Sequence, residues 1–79
     1  MATIGLIAGG GRFPILFAES ARRAGHRVVA VAHRNETDPA LEQVVDAFTW
    51  VKLGQIGHVL DALRKGGATS TVMLGAITK

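Results

Sequence analysis

A chain of 79 residues has room for one domain, and one this short buries only about 60% of the surface that its unfolded form exposes. With 48% hydrophobic residues, 19% charged residues and no cysteine, neither disulfides nor a thiolate metal site can hold the fold, so an apolar core must. The net charge of +3 comes from scattered basic residues without interleaved aromatics, which argues against a nucleic-acid surface; no apolar run approaches the roughly 18 residues needed to span a bilayer. Met1-Ala2-Thr3 lacks a basic secretory leader, so a cytoplasmic chain is expected. So apolar a chain also has surface to cover, against a second domain or a partner.

Thr3 to Ala8 is a short apolar run rich in β-branched residues and closed by three glycines, which suits a strand buried on both faces. After the glycines, Phe13, Phe17, Ala21 and Ala24 recur at helical spacing, with Glu19, Ser20, Arg22 and Arg23 between them. This pattern predicts an amphipathic helix with Pro14 in its first turn and Gly25 as its left-handed stop. Val28 to Ala32 is a second buried strand. The polar stretch that follows ends in Asp38-Pro39, which predicts a short helix to about Val45 with Asp38 as its N-cap. Ala47 to Val51 is a third strand, with Trp50 a packing residue.

Ile56, Val59, Leu60 and Leu63 form one apolar stripe of a second helix, which carries Arg64 and Lys65 in its last turn and stops at Gly66-Gly67. Thr71 to Leu74 is a fourth buried strand, followed by Gly75. Apolar strands alternating with amphipathic helices predict an α/β fold: a Rossmann-like half domain with a four-stranded parallel sheet in the order 3-2-1-4 and helices on both faces. No linker divides the chain, so residues 1–79 read as a single domain.

In such a sheet, ligands bind beyond the carboxyl ends of the strands, where the strand order reverses. That point falls between the first and fourth strands, so Gly9-Gly10-Gly11 and Gly75 should flank one crevice. Glycines there turn backbone N–H groups toward a ligand and let it approach, and the following helix start adds partial positive charge. Together they suit a phosphate, with Arg12 available for a charge-assisted bond. The dinucleotide fingerprint is incomplete: Pro14 stands where its third glycine belongs, and His33-Arg34-Asn35 stands where an acid is expected at the end of the second strand. Arg34 keeps an NADP phosphate open as a minor alternative. Gln55, in the Gly54-Gln55-Ile56-Gly57 segment on the same edge, is a further candidate for a hydrogen bond to ligand. His26, His33 and His58 lack ligand spacing for a metal, and no catalytic constellation is visible.

Ile4-Gly5-Leu6-Ile7-Ala8-Gly9-Gly10-Gly11 with Pro14 resembles the opening of the LpxI family, the UDP-2,3-diacylglucosamine pyrophosphatases of lipid A biosynthesis. Gly54-Gln55-Ile56-Gly57, Leu63-Arg64-Lys65-Gly66-Gly67 and Val72-Met73-Leu74-Gly75 resemble the family's later landmarks in the same order, so the resemblance covers the whole chain. It implies an N-terminal Rossmann-like domain only. A C-terminal domain, absent from this chain, would carry the acidic residues and the Mg²⁺ linked to hydrolysis, and the glycolipid would sit between the two. The activity implied for the whole is cleavage of UDP-2,3-diacylglucosamine to lipid X and UMP, with residues 1–79 alone binding and not catalysing. Ala76-Ile77-Thr78-Lys79 departs from the family's Gly-x-Val-Lys-Arg-Pro-like hinge, with Lys79 in the place of an arginine and a candidate ligand contact. The resemblance leaves open peripheral contact with the inner membrane and homo-oligomers. Two other readings of the residues stand beside it: a self-standing nucleotide- or NADP-binding module, and an oligomerising structural domain.

Overall fold

A computed structural model of the chain describes residues 2–52 and 56–75, the side chain of Ile56 excepted. Its elements follow the order strand β1 (Thr3–Ala8), helix α1 (Phe13–Arg23), strand β2 (Arg27–His33), a 3-10 segment (Pro39–Val44), strand β3 (Ala47–Val51), helix α2 (Ile56–Lys65) and strand β4 (Ser70–Leu74). The four strands form one all-parallel sheet in the order β3-β2-β1-β4. Parallel neighbours need crossovers. α1 and the 3-10 segment take one face of the sheet and α2 takes the other, as right-handed connections running first one way and then back require. The fold is the Rossmann-like α/β half domain that the alternation of elements predicts.

The core is split by the sheet. On the α1 face, Leu6, Ala8, Val28 and Ala30 pack with Ala18, Ala21 and Leu41. On the α2 face, Val29, Val31 and Val51 pack with Leu63. Both helices stop in the same way. The N–H of His26 reaches Ala21 O around Gly25 at φ +92°, and the N–H of Ala68 reaches Leu63 O around Gly67 at φ +77°. These are Schellman ends, which satisfy last-turn carbonyls through a residue in a left-handed conformation. Asp38 caps the 3-10 segment by accepting from the Ala40 N–H at 2.9 Å.

Three expectations are corrected. The inward face of α1 is centred on Pro14, Ala18 and Ala21 with Phe17 at its margin, so the expected stripe holds at Phe17 and Ala21 and fails at Ala24 and at Phe13, which is 72% exposed. Small side chains let the helix lie close on the sheet and leave Phe13 outside. Leu60 is 55% exposed, because α2 lies over β2 and β3 and buries Leu63 rather than the whole predicted stripe. β4 is not buried on both faces: Ser70, Thr71 and Met73 are exposed, since β4 is an edge strand that α2 does not cover.

Candidate functional site

The carboxyl ends of β1 and β4 meet as the strand order requires. Ala8 is in register with Leu74, and the Gly9 N–H donates to Leu74 O at 2.7 Å, extending the ladder by one bond past the strand. Gly75, at φ +97°, then lies against the glycine turn so tightly that a Cβ there would stand 2.6 Å from Gly10 O and 2.8 Å from the Gly9 carbonyl carbon. Only glycine permits this approach, because L side chains avoid that φ and a methyl group would overlap backbone that cannot rotate away. Four glycines separated by more than sixty positions thus form one backbone surface at the switch point, Gly11 following at φ +86° in open space.

The amides of this turn have different duties. That of Gly9 is committed to the sheet and Gly10 takes part in a further β-bridge, so the start of α1 supplies the unpaired donors of this edge. Arg12 occupies the N-cap of α1, exposed, and makes no side-chain capping bond to the helix. The first turn of α1 contains no acidic residue, so the partial positive charge of the helix start stands unneutralised beside Arg12. Electrostatically this edge favours an anion. Gln55 and Lys79 lie outside the described residues.

One strand over, the end of β2 is tied to the end of β1. The buried Thr37 hydroxyl accepts from the His33 N–H at 2.9 Å and donates to Ala8 O at 2.8 Å. His33, 7% exposed, brings its ring Nδ1 to the same carbonyl at 2.9 Å. A tight turn with Asn35 at φ +68° returns the chain so that Thr37 can do this. Thr37 carries no periodic or motif signal, and sequence reasoning does not find it. The other histidines have other duties or surroundings: His26 Nδ1 accepts from the Ala2 N–H, and His58 lines a cleft of about 380 Å³ with Thr49, Trp50, Val51, Asp61 and Lys65. That cleft follows the outer strand β3, two strands from the glycine turn, and shares no residue with it. Asp46 is structural: it accepts from the Val28 N–H and approaches Arg22 Nε at 3.7 Å.

Among the described residues no group of three or more His, Asp or Glu side chains could hold a metal ion. The resemblance assigns its Mg²⁺ to a C-terminal domain and not to these residues. What they offer is a backbone surface of glycines, a helix start and fixed polar groups.

A parallel sheet with a glycine-rich first turn, closed against the end of its fourth strand, defines a Rossmann-like α/β domain. Residues 3–79 match the LpxI N-terminal domain, and the chain belongs to that family. It is 32% identical over 79 residues to the UDP-2,3-diacylglucosamine pyrophosphatase LpxI of Caulobacter vibrioides, a comparison that takes in all of this chain and 28% of that protein. The chain thus spans well under half the length of this relative. No described helix is long and apolar enough to cross a membrane.

Proposed function

We propose that residues 1–79 are the substrate-holding part of a UDP-2,3-diacylglucosamine pyrophosphatase of lipid A biosynthesis, and that the turn Gly9-Gly10-Gly11 receives a phosphate of the substrate. The observation that supports this most directly is the contact of Gly75 with Gly9 and Gly10, which places a backbone surface without side chains at the switch point. A pyrophosphate is anionic and crowded with acceptor oxygens. The groups that meet it best are N–H donors fixed before it arrives, because they need no reorganisation on binding. In this reading the glycine turn lets the phosphate approach the first turn of α1, and the exposed Arg12 adds a charge. Hydrolysis, with its Mg²⁺, falls in this reading to the rest of the protein, working in the cytoplasm at the membrane face where the glycolipid lies.

The test is a titration of the ¹⁵N-labelled intact protein with inorganic phosphate and with uridine monophosphate. The Gly10 and Gly11 amide resonances should move and saturate, while those of Gly25 and Gly67, which stand at helix ends of similar conformation, stay in place. Saturable binding that leaves Gly10 and Gly11 unmoved would refute the phosphate cradle.

A further inference from the structure

The phosphate reading does not use His33, yet its ring is placed with unusual definition. The ring is almost fully buried at the end of β2, and its Nδ1 lies 2.9 Å from Ala8 O, the carbonyl of the residue that leads into the glycine turn. A carbonyl oxygen only accepts, so Nδ1 carries the hydrogen, and in that tautomer Nε2 holds the free lone pair. No buried side-chain nitrogen among the described residues lacks a partner, and His33 makes no other side-chain bond among them, so Nε2 keeps some contact with solvent at the end of β2.

From this geometry, and resting on the phosphate reading above, we infer that His33 Nε2 accepts a hydrogen bond from a sugar hydroxyl of the phosphate-bearing ligand. Adjacent strands lie about 4.8 Å apart, so a sugar attached to a phosphate in the turn after β1 extends naturally over the end of β2. In dinucleotide-binding proteins of Rossmann architecture, an acidic residue at the end of the second strand takes a ribose hydroxyl. Here that place is filled by an imidazole nitrogen and not a carboxylate, which adds no negative charge beside a ligand already rich in it. The Thr37 hydroxyl, bonded to both the His33 N–H and Ala8 O, fixes the backbone that carries the ring.

The two ring nitrogens can be tested apart. An asparagine amide nitrogen reaches the position of Nδ1 and nothing replaces Nε2, whereas glutamine places a polar group near Nε2 and gives up the bond to Ala8. His33→Asn and His33→Gln are compared with the parent in the intact protein, with dissociation constants taken from NMR titrations with inorganic phosphate, uridine monophosphate and glucosamine 1-phosphate. In His33→Asn, affinity for at least one of the two sugar phosphates should fall about five- to tenfold, the worth of one hydrogen bond, while affinity for inorganic phosphate stays at the parent value. His33→Gln should recover part of the loss. Loss with uridine monophosphate identifies the hydroxyl as ribose, and loss with glucosamine 1-phosphate identifies it as hexose; either supports the role. Parental affinity for both sugar phosphates in His33→Asn overturns it while leaving the phosphate cradle standing. A parent protein that binds none of the three overturns both.

Discussion

Gly75→Ala probes the contact on which the site is built. Two costs act together. At φ +97° an alanine is held in a region that L residues avoid, worth about 1–2 kcal/mol. Its methyl would also stand 2.6 Å from Gly10 O and 2.8 Å from the Gly9 carbonyl carbon, an overlap with backbone of the kind that costs about 1–3 kcal/mol in overpacked sites. The sum is about 2–5 kcal/mol, against total stabilities of about 5–15 kcal/mol for folded proteins. Gly11→Ala is the matched control, because Gly11 shares the positive φ (+86°) but a Cβ there meets nothing within 4 Å. Its cost should be the backbone contribution alone, about 1 kcal/mol, and Gly11→Asn should cost less still, since asparagine tolerates left-handed conformations. Urea denaturation of the intact protein measures both, as the change in midpoint multiplied by the slope. A Gly75→Ala variant that loses no more than Gly11→Ala would refute the close approach of β4 to the glycine turn.

Thr37→Val keeps the shape of the side chain and removes the hydroxyl between β1 and β2, leaving the His33 N–H without that acceptor; a loss of about 1–3 kcal/mol is expected, largely restored in Thr37→Ser, and parental stability in the valine variant would show the bridge to be dispensable. Gly66→Ala should be more damaging than Gly5→Ala. A Cβ at Gly66 meets both γ-carbons of the buried Val29 at 2.6 and 2.7 Å, which no rotation relieves, whereas one at Gly5 meets chiefly the end of the Leu63 side chain at 2.7 Å. Comparison of thermal melts orders the two, and the opposite order would mean that Leu63 is the less yielding neighbour.

The sequence made the elements legible more readily than their orientation. β1 and β3 end where the apolar runs and their flanking turns place them, and the stops at Gly25 and Gly67 follow from glycines that must turn left-handed. Spacing alone did not give the phase of α1. Phe13, Phe17 and Ala21 are as periodic as Pro14, Ala18 and Ala21, and closeness to the sheet, which only small residues allow, decides between them. Nor did composition reveal that β4 is an edge: Thr71 to Leu74 is as apolar as a central strand, and its exposure follows from where α2 lies. At the site, the pairing of Gly75 with the glycine turn was legible because topology forces it. The Thr37 bridge was not, because a lone threonine in a polar loop looks the same whether it faces solvent or a carbonyl.

The strand order also explains why the glycine turn and Gly75 meet where they do. The chain leaves β1 through α1 on one face of the sheet and reaches β4 from α2 on the other, so neither helical crossover roofs the gap between the carboxyl ends of β1 and β4. A gap between diverging connections would ordinarily be filled by side chains. Glycine at 75 and at the turn removes them and lets backbone meet backbone, with the Gly9–Leu74 bond closing the floor. On the other side of β1, Thr37 and His33 hold the Ala8 carbonyl, so the turn is anchored from both neighbouring strands before any ligand arrives. Anchoring of that kind lowers the ordering cost of binding. It also means that substitutions at Gly75 and Thr37, which approach the turn from opposite sides, should each disturb the glycine turn through a different strand.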